Sequence, residues 1–184
     1  MNAGQSATSA SDVLSFWQEA GPEKWFDKNV EFDDAFHDRF RDLHFAAARR
    51  ELEMWIETPE TSLALLLLLD QFPRNCFRNT AHMYATDPLA RHYAQDIITR
   101  GHDKAIDAEL RIFFYLPLMH SEDLLDQERC CELCAPLGER YLPFAIEHRD
   151  IVKRFGRFPH RNNVLLRESS AEERLFLAEG GFAG

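Results

Sequence analysis

Five apolar residues, Phe32, Phe36, Phe40, Leu43 and Ala47, recur at i, i+4, i+8, i+11 and i+15. Steps of three and four place them on one stripe of a helix, and no strand could bury them on a single face. Asp33, Asp34, Asp38, Arg41 and Asp42 fall between them, so the spacing predicts an amphipathic helix from about residue 30, charged toward water. No segment alternates with period two, and no Asn-Gly or Asp-Gly turn appears. The chain therefore reads as all-α, with about eight helices and short connections.

Other boundaries follow from caps and breakers. Ser11 or Asp12 is expected to cap a first helix carrying Leu14, Phe16 and Trp17, which stops at Gly21-Pro22. Thr58-Pro59 opens a helix over 60–71 whose run from Leu63 to Leu69 has no polar side, as in a helix buried all round. That helix is expected to end at Phe72-Pro73. Asp87-Pro88 is a second cap-plus-proline opening, with Leu89, Tyr93 and Ile97 on one face and Gly101 at the end. A helix over about 104–114 should stop before Pro117, and Ser121 should cap the next, with Glu122 and Asp123 in its first turn. Phe144, His148, Val152 and Phe155 share a face of a helix closed by Gly156, and Ser170 with Glu173 forms a capping box for the last. Residues 1–10 read as a disordered tail and 11–184 as one domain.

Composition narrows the function. The 31 acidic and 21 basic residues leave a formal charge of −10, which opposes generic binding to nucleic acid or an anionic membrane. The longest apolar run is far shorter than a membrane span, and the N-terminus lacks the pattern of a secretory signal. Cys76, Cys130, Cys131 and Cys134 do not space like a disulfide framework, so buried thiols in a reduced, cytoplasmic setting are expected.

The densest chemistry lies in the stretch 147–163, where Arg154, Arg157, His160 and Arg161 follow a helix end within eight residues. Arg157, Arg161 and Asn162 are forked or amide donors suited to a carboxylate or phosphate. A second set, Asp70, Gln71, Arg74 and Asn75, ends the leucine helix, where a buried carboxylate requires a partner and Arg74 is the nearest. A third, His120-Ser121-Glu122, supplies a base and a carboxylate. With His160 it has the residue types of a metal set, but only two of the three have fixed spacing; no metal or cofactor is expected. The Phe72-Pro-Arg-Asn segment returns with one insertion at Phe158-Pro-His-Arg-Asn, so two helix ends finish in similar loops. Together these predict a polar pocket with Asp70, Arg74, Asn75, Gln127, Arg157, Arg161 and Asn162 as ligand-binding residues and His120, His160 and Glu122 as catalytic ones. The leading expectation is a site for a small anionic ligand or acidic peptide end. The alternatives are a hydrolase or transferase using His120 or His160 as acid or base, and a helical scaffold whose polar set is structural.

DQFPRN at 70–75, ATDPLA at 85–90, YLPLMHSEDLLDQE at 115–128 and RFGRFPHRN at 154–162 resemble a bacterial family, domain-of-unknown-function family 924, over about residues 11–180. The resemblance implies helices packed as antiparallel, tetratricopeptide-like pairs in a cytoplasmic protein without an assigned activity. The chain departs from that pattern at Leu166, which replaces a glycine, and at Ser170, which replaces a threonine and keeps the cap.

Overall fold

The computed structural model describes residues 8–183, and among them there is no strand. The expected tail therefore falls largely outside the described residues. The first helix, α1 (Ala10–Ala20), starts ahead of the expected cap: Ser9 caps it and Asp12 closes a capping box. The chain continues through α2 (Pro22–Trp25), α3 (Val30–Ala48), α4 (Pro59–Leu66), a π-helical turn (Leu67–Gln71) and α5 (Phe72–Cys76). Then come α6 (Asp87–Thr99), α7 (Ile112–Met119), α8 (Leu124–Cys134), α9 (Leu142–Phe155) and α10 (Ala171–Ala178).

The α3 stripe forms as expected, with one change of membership. Phe32, Phe36 and Phe40 are buried, but His44 and not Leu43 continues the buried row. Phe16 of α1 stacks on Phe32 and Phe36, while Trp17 and Trp25 stack on each other and meet Phe113 edge-on at 5.2 and 5.1 Å. Asp33, expected to face water, is instead bridged by Arg78. The run from Leu63 to Leu69 is buried throughout and forms the centre of the core. Each leucine there contributes roughly 1.5–3 kcal/mol by leaving water.

Two prolines expected to end helices lie inside them. Pro73 has no N–H for the carbonyl one turn back, and the chain passes it by widening into the π turn. The displaced carbonyls find side-chain donors: the Leu68 oxygen accepts from His44 Nδ1 at 2.8 Å and the Leu69 oxygen from the Thr86 hydroxyl at 2.5 Å. Pro117 sits within α7, all eight of whose residues are buried. An interior proline costs about 3 kcal/mol, which burial of a whole helix outweighs. The helix expected over 104–114 does not form. Residues His102–Ala105 make a 3₁₀ turn, because Asp103 turns inward to accept the Tyr115 hydroxyl at 2.7 Å.

Candidate functional site

The π turn shifts the helical phase just before the polar set, and it carries Asp70 into the core, 1% exposed. The carboxylate is fully partnered there. Gln71 Nε2 donates to Oδ2 at 2.6 Å, Arg74 Nη1 lies 3.0 Å from Oδ1, and His120 Nδ1 donates to Oδ1 at 2.8 Å. Burial alone would raise the carboxyl's pKa, but Arg74 and then His120 override it and hold the group below the ordinary carboxylate range. The Asp70–Arg74 pair matches the sequence expectation. The His120–Asp70 pair, fifty residues apart in the chain, does not follow from any local spacing.

Arg74 also grips Asp87 through two hydrogen bonds of 2.9 Å. Asp87 is the residue sequence reasoning missed. The Asp-Pro pair looked like a helix cap, but the N-cap is Thr86, and the Asp87 carboxylate at the start of α6 is free to receive both Arg74 and Arg161. Arg161 Nη1 lies 3.3 Å from Asp87, its Nη2 donates to the His120 carbonyl at 2.9 Å, and its guanidinium lies between the Tyr84 and Phe158 rings. Asp70, Arg74, Asp87 and Arg161 thus form one buried network with two charges of each sign.

The remaining expected site residues go elsewhere. Glu122 is held by Arg167 at 2.6 and 2.9 Å and by the Phe158 N–H at 2.8 Å. Arg157 is committed to Glu173, at 2.6 and 2.8 Å, and to the Glu168 carbonyl. Asn162 bonds Arg167 and Ser169, and Gln127 donates to the Met119 and Ser121 carbonyls. None of these four lines the cavity described next, so Gln127, Arg157 and Asn162, expected to bind a ligand, and Glu122, expected to be catalytic, are part of the framework instead. Arg167 reaches Glu122 just after Leu166, which at φ 54° turns the chain back in the left-handed conformation that a glycine adopts freely. Asp123, not Ser121, caps α8. The Ser121 hydroxyl donates to Asp126.

A cavity of about 470 Å³ opens beside the network, within the range of small-molecule sites. Trp25, Phe26, Met83, Tyr84, Ile112, Leu116, Met119, Tyr141, Phe144 and Phe182 give it mostly apolar walls. Asp27, Gln71, Arg74, Asn75, Arg78, His120, Arg140, His148, His160 and Arg161 supply its polar lining. Asn75 and Arg161 are only 7% and 6% exposed, and Asn75 Nδ2 and Arg161 Nε, both donors, have no partner among the described residues.

Burial lowers the pKa of all three histidines here. Burial pushes His148 down to about 4 and His160 to about 3, with His120 and Arg161 respectively adding to the effect. His120 is lowered by burial and then by Arg74, against the pull of Asp70. Because its Nδ1 donates to Asp70, its lone pair is on Nε2, which makes no hydrogen bond among the described residues and is open to the cavity. His148 Nδ1 is tied to the Phe144 carbonyl at 2.8 Å, and its ring packs against Phe158 and Phe182, as expected of a core histidine. His160 has no carboxylate beside it, and its Nδ1 is sealed without a partner, so nothing orients it as an acid or base. Among the described residues no three His, Cys, Asp or Glu side chains are grouped to hold a metal.

The family model described as "Bacterial protein of unknown function (DUF924)" matches residues 13–181. Among solved structures, a protein of unknown function from Agrobacterium tumefaciens is 66% identical, with a TM-score of 0.91, covering 93% of this chain and 97% of its own. No curated protein matches the chain.

Proposed function

For this chain, which belongs to the bacterial family DUF924, we propose that the cavity binds a small organic acid, its apolar body against the aromatic walls and its carboxylate at Asn75 and Arg161. One observation carries the reading: the side chains of Arg74, Asn75 and Arg161 line one cavity whose remaining wall is largely aromatic and aliphatic. A ligand carboxylate that accepts from a guanidinium forms a charge-assisted hydrogen bond, the stronger kind. Nη1 and Nη2 of Arg161 each carry a second N–H beyond those given to Asp87 and the His120 carbonyl, so Arg161 need not give up Asp87 to receive a ligand oxygen. The same carboxylate chemistry would be offered by a peptide terminus, which is a partner within the proposal. The cytoplasmic setting and tetratricopeptide-like pairing also belong to it; they are supported by four free thiols and by the side-by-side packing of α7 on α8 and α8 on α9.

Trp25 lines the cavity and reports its occupancy. Titration with 4-phenylbutyrate is expected to change tryptophan emission, while 4-phenylbutan-1-ol, with the same body and no carboxylate, binds at least tenfold more weakly. Arg161→Met should remove that preference. Equal binding of acid and alcohol by the native protein, or no binding of either, refutes the proposal.

A further inference from the structure

We infer that the cavity is a hydrolytic centre for small carboxylic esters, in which His120 takes a proton from the attacking water and the released acid is the ligand proposed above. The inference rests on that binding reading and adds a reaction to it.

The base is built as a base. Asp70 accepts from His120 Nδ1 at 2.8 Å and is itself fixed by Gln71 and Arg74, so the imidazole is locked in the tautomer that keeps Nε2 unprotonated. Nε2 is open to the cavity and unpartnered among the described residues. No serine, threonine or cysteine is among the residues found lining the cavity, and burial raises the pKa of the Tyr84 and Tyr141 phenols, which keeps them protonated, so the nucleophile is water. Asn75 and Arg161 line the same cavity, and the second N–H on each terminal nitrogen of Arg161 is where an ester carbonyl oxygen finds a partner. Arg161 Nη2 holds the His120 backbone carbonyl at 2.9 Å, which ties the donor group to the base. Charge that develops on the carbonyl oxygen is then met by donors already in position.

The reaction balances without a co-reactant. A water proton passes to Nε2 as the water oxygen bonds to the carbonyl carbon, giving a tetrahedral oxyanion. That intermediate collapses with cleavage of the carbon–oxygen bond to the alcohol, which leaves with the proton from Nε2. The acid formed loses its own proton to solvent and remains as the carboxylate.

The charged and titratable groups around His120 are Asp70 on the π turn, Arg74 on α5, Asp87 at the start of α6, His148 on α9, and His160 and Arg161 in the following turn. Burial and Arg74 lower its pKa, so activity should fall on the acid side with a midpoint below the ordinary histidine value and stay level above it.

The test follows release of 4-nitrophenol from the acetate, butyrate, hexanoate and phenylacetate esters, by the native protein and by His120→Gln. The expected result is a loss in kcat/KM of about 10²–10⁴-fold in the variant, with 4-phenylbutyrate still bound. Asp70→Asn, a positioning change, should lower the rate and alter the acid limb of the pH profile. His120→Gln carries the test if Asp70→Asn does not fold. Turnover of all four esters no faster in the native protein than in His120→Gln overturns the inference and leaves acid binding standing. Turnover that depends on His120 without binding of 4-phenylbutyrate defeats the binding reading instead.

Discussion

Buried neutral histidines make this fold sensitive to mild acid. His44 is fully buried, with Nδ1 on the Leu68 carbonyl and Nε2 2.9 Å from His82 Nε2, and burial brings its pKa down to about 4. His148 is likewise buried at about 4. An unfolded histidine titrates near 6.5, so between about pH 6.5 and pH 4 the unfolded chain binds protons that the folded one refuses. Stability therefore rises with pH through that window and is lost as pH falls. At pH 5 each of these two groups costs about 2 kcal/mol relative to neutral pH, or about 4 kcal/mol together if they act independently. That is a large share of the roughly 5–15 kcal/mol by which a domain is stable. Urea unfolding at pH 7.5 and pH 5.0 should show the midpoint fall by an amount matching this loss, well before carboxylates titrate. The imidazole proton resonances of His44 and His148 should not shift between these pH values. A midpoint unchanged to pH 5, or two buried histidines that titrate near 6.5, refutes the reasoning.

Other substitutions separate framework from cavity. Arg157→Ala removes the clamp on Glu173 and should speed amide exchange in α10 while leaving 4-phenylbutyrate binding intact; lost binding with α10 still protected would contradict that assignment. Arg74→Met leaves Asp70 and Asp87 short of their shared cation and should cost about 3–5 kcal/mol in urea unfolding, since breaking a buried pair strands a charge. Leu166→Gly should stabilise by roughly 0.5–1 kcal/mol, because Leu166 is 93% exposed at positive φ and loses strain without losing packing; a lower midpoint would show that the leucine contributes something else.

Helix content and the α3 stripe could be read from the sequence because both depend on periodicity along one element. The exceptions share a cause. Pro73, Pro117 and Asp103 each violate a local rule, and each lies where burial of a whole element outweighs a local cost of a few kcal/mol. The site divides in the same way. Asp70 and Arg74 are one helical turn apart, so their pairing is visible in DQFPRN. His120 and Asp70 meet only because α7 packs beside the π turn, and no spacing encodes that. Arg157 and Arg161 look equivalent in the sequence, yet the intervening 3₁₀ turn, Pro159–Arg161, sends one to α10 and the other to the cavity.

The three acids that receive the arginines of this loop share a position. Asp87 is the first residue of α6, Glu173 lies in the first turn of α10, and Glu122 immediately precedes the cap of α8. Carboxylates at helix starts are already favoured by the exposed N–H groups there. Arg161, Arg157 and Arg167 then join these helix starts through a single loop, and the Phe158 N–H adds a fourth tie to Glu122. A loop fixed at that many points cannot follow a ligand. It presents Arg161 and the His120 carbonyl in one arrangement, with the Arg161 side chain in the cavity wall. The structural network and the candidate site are thus one device, and the saturation of most of its donors is what gives the few unsaturated ones a defined place.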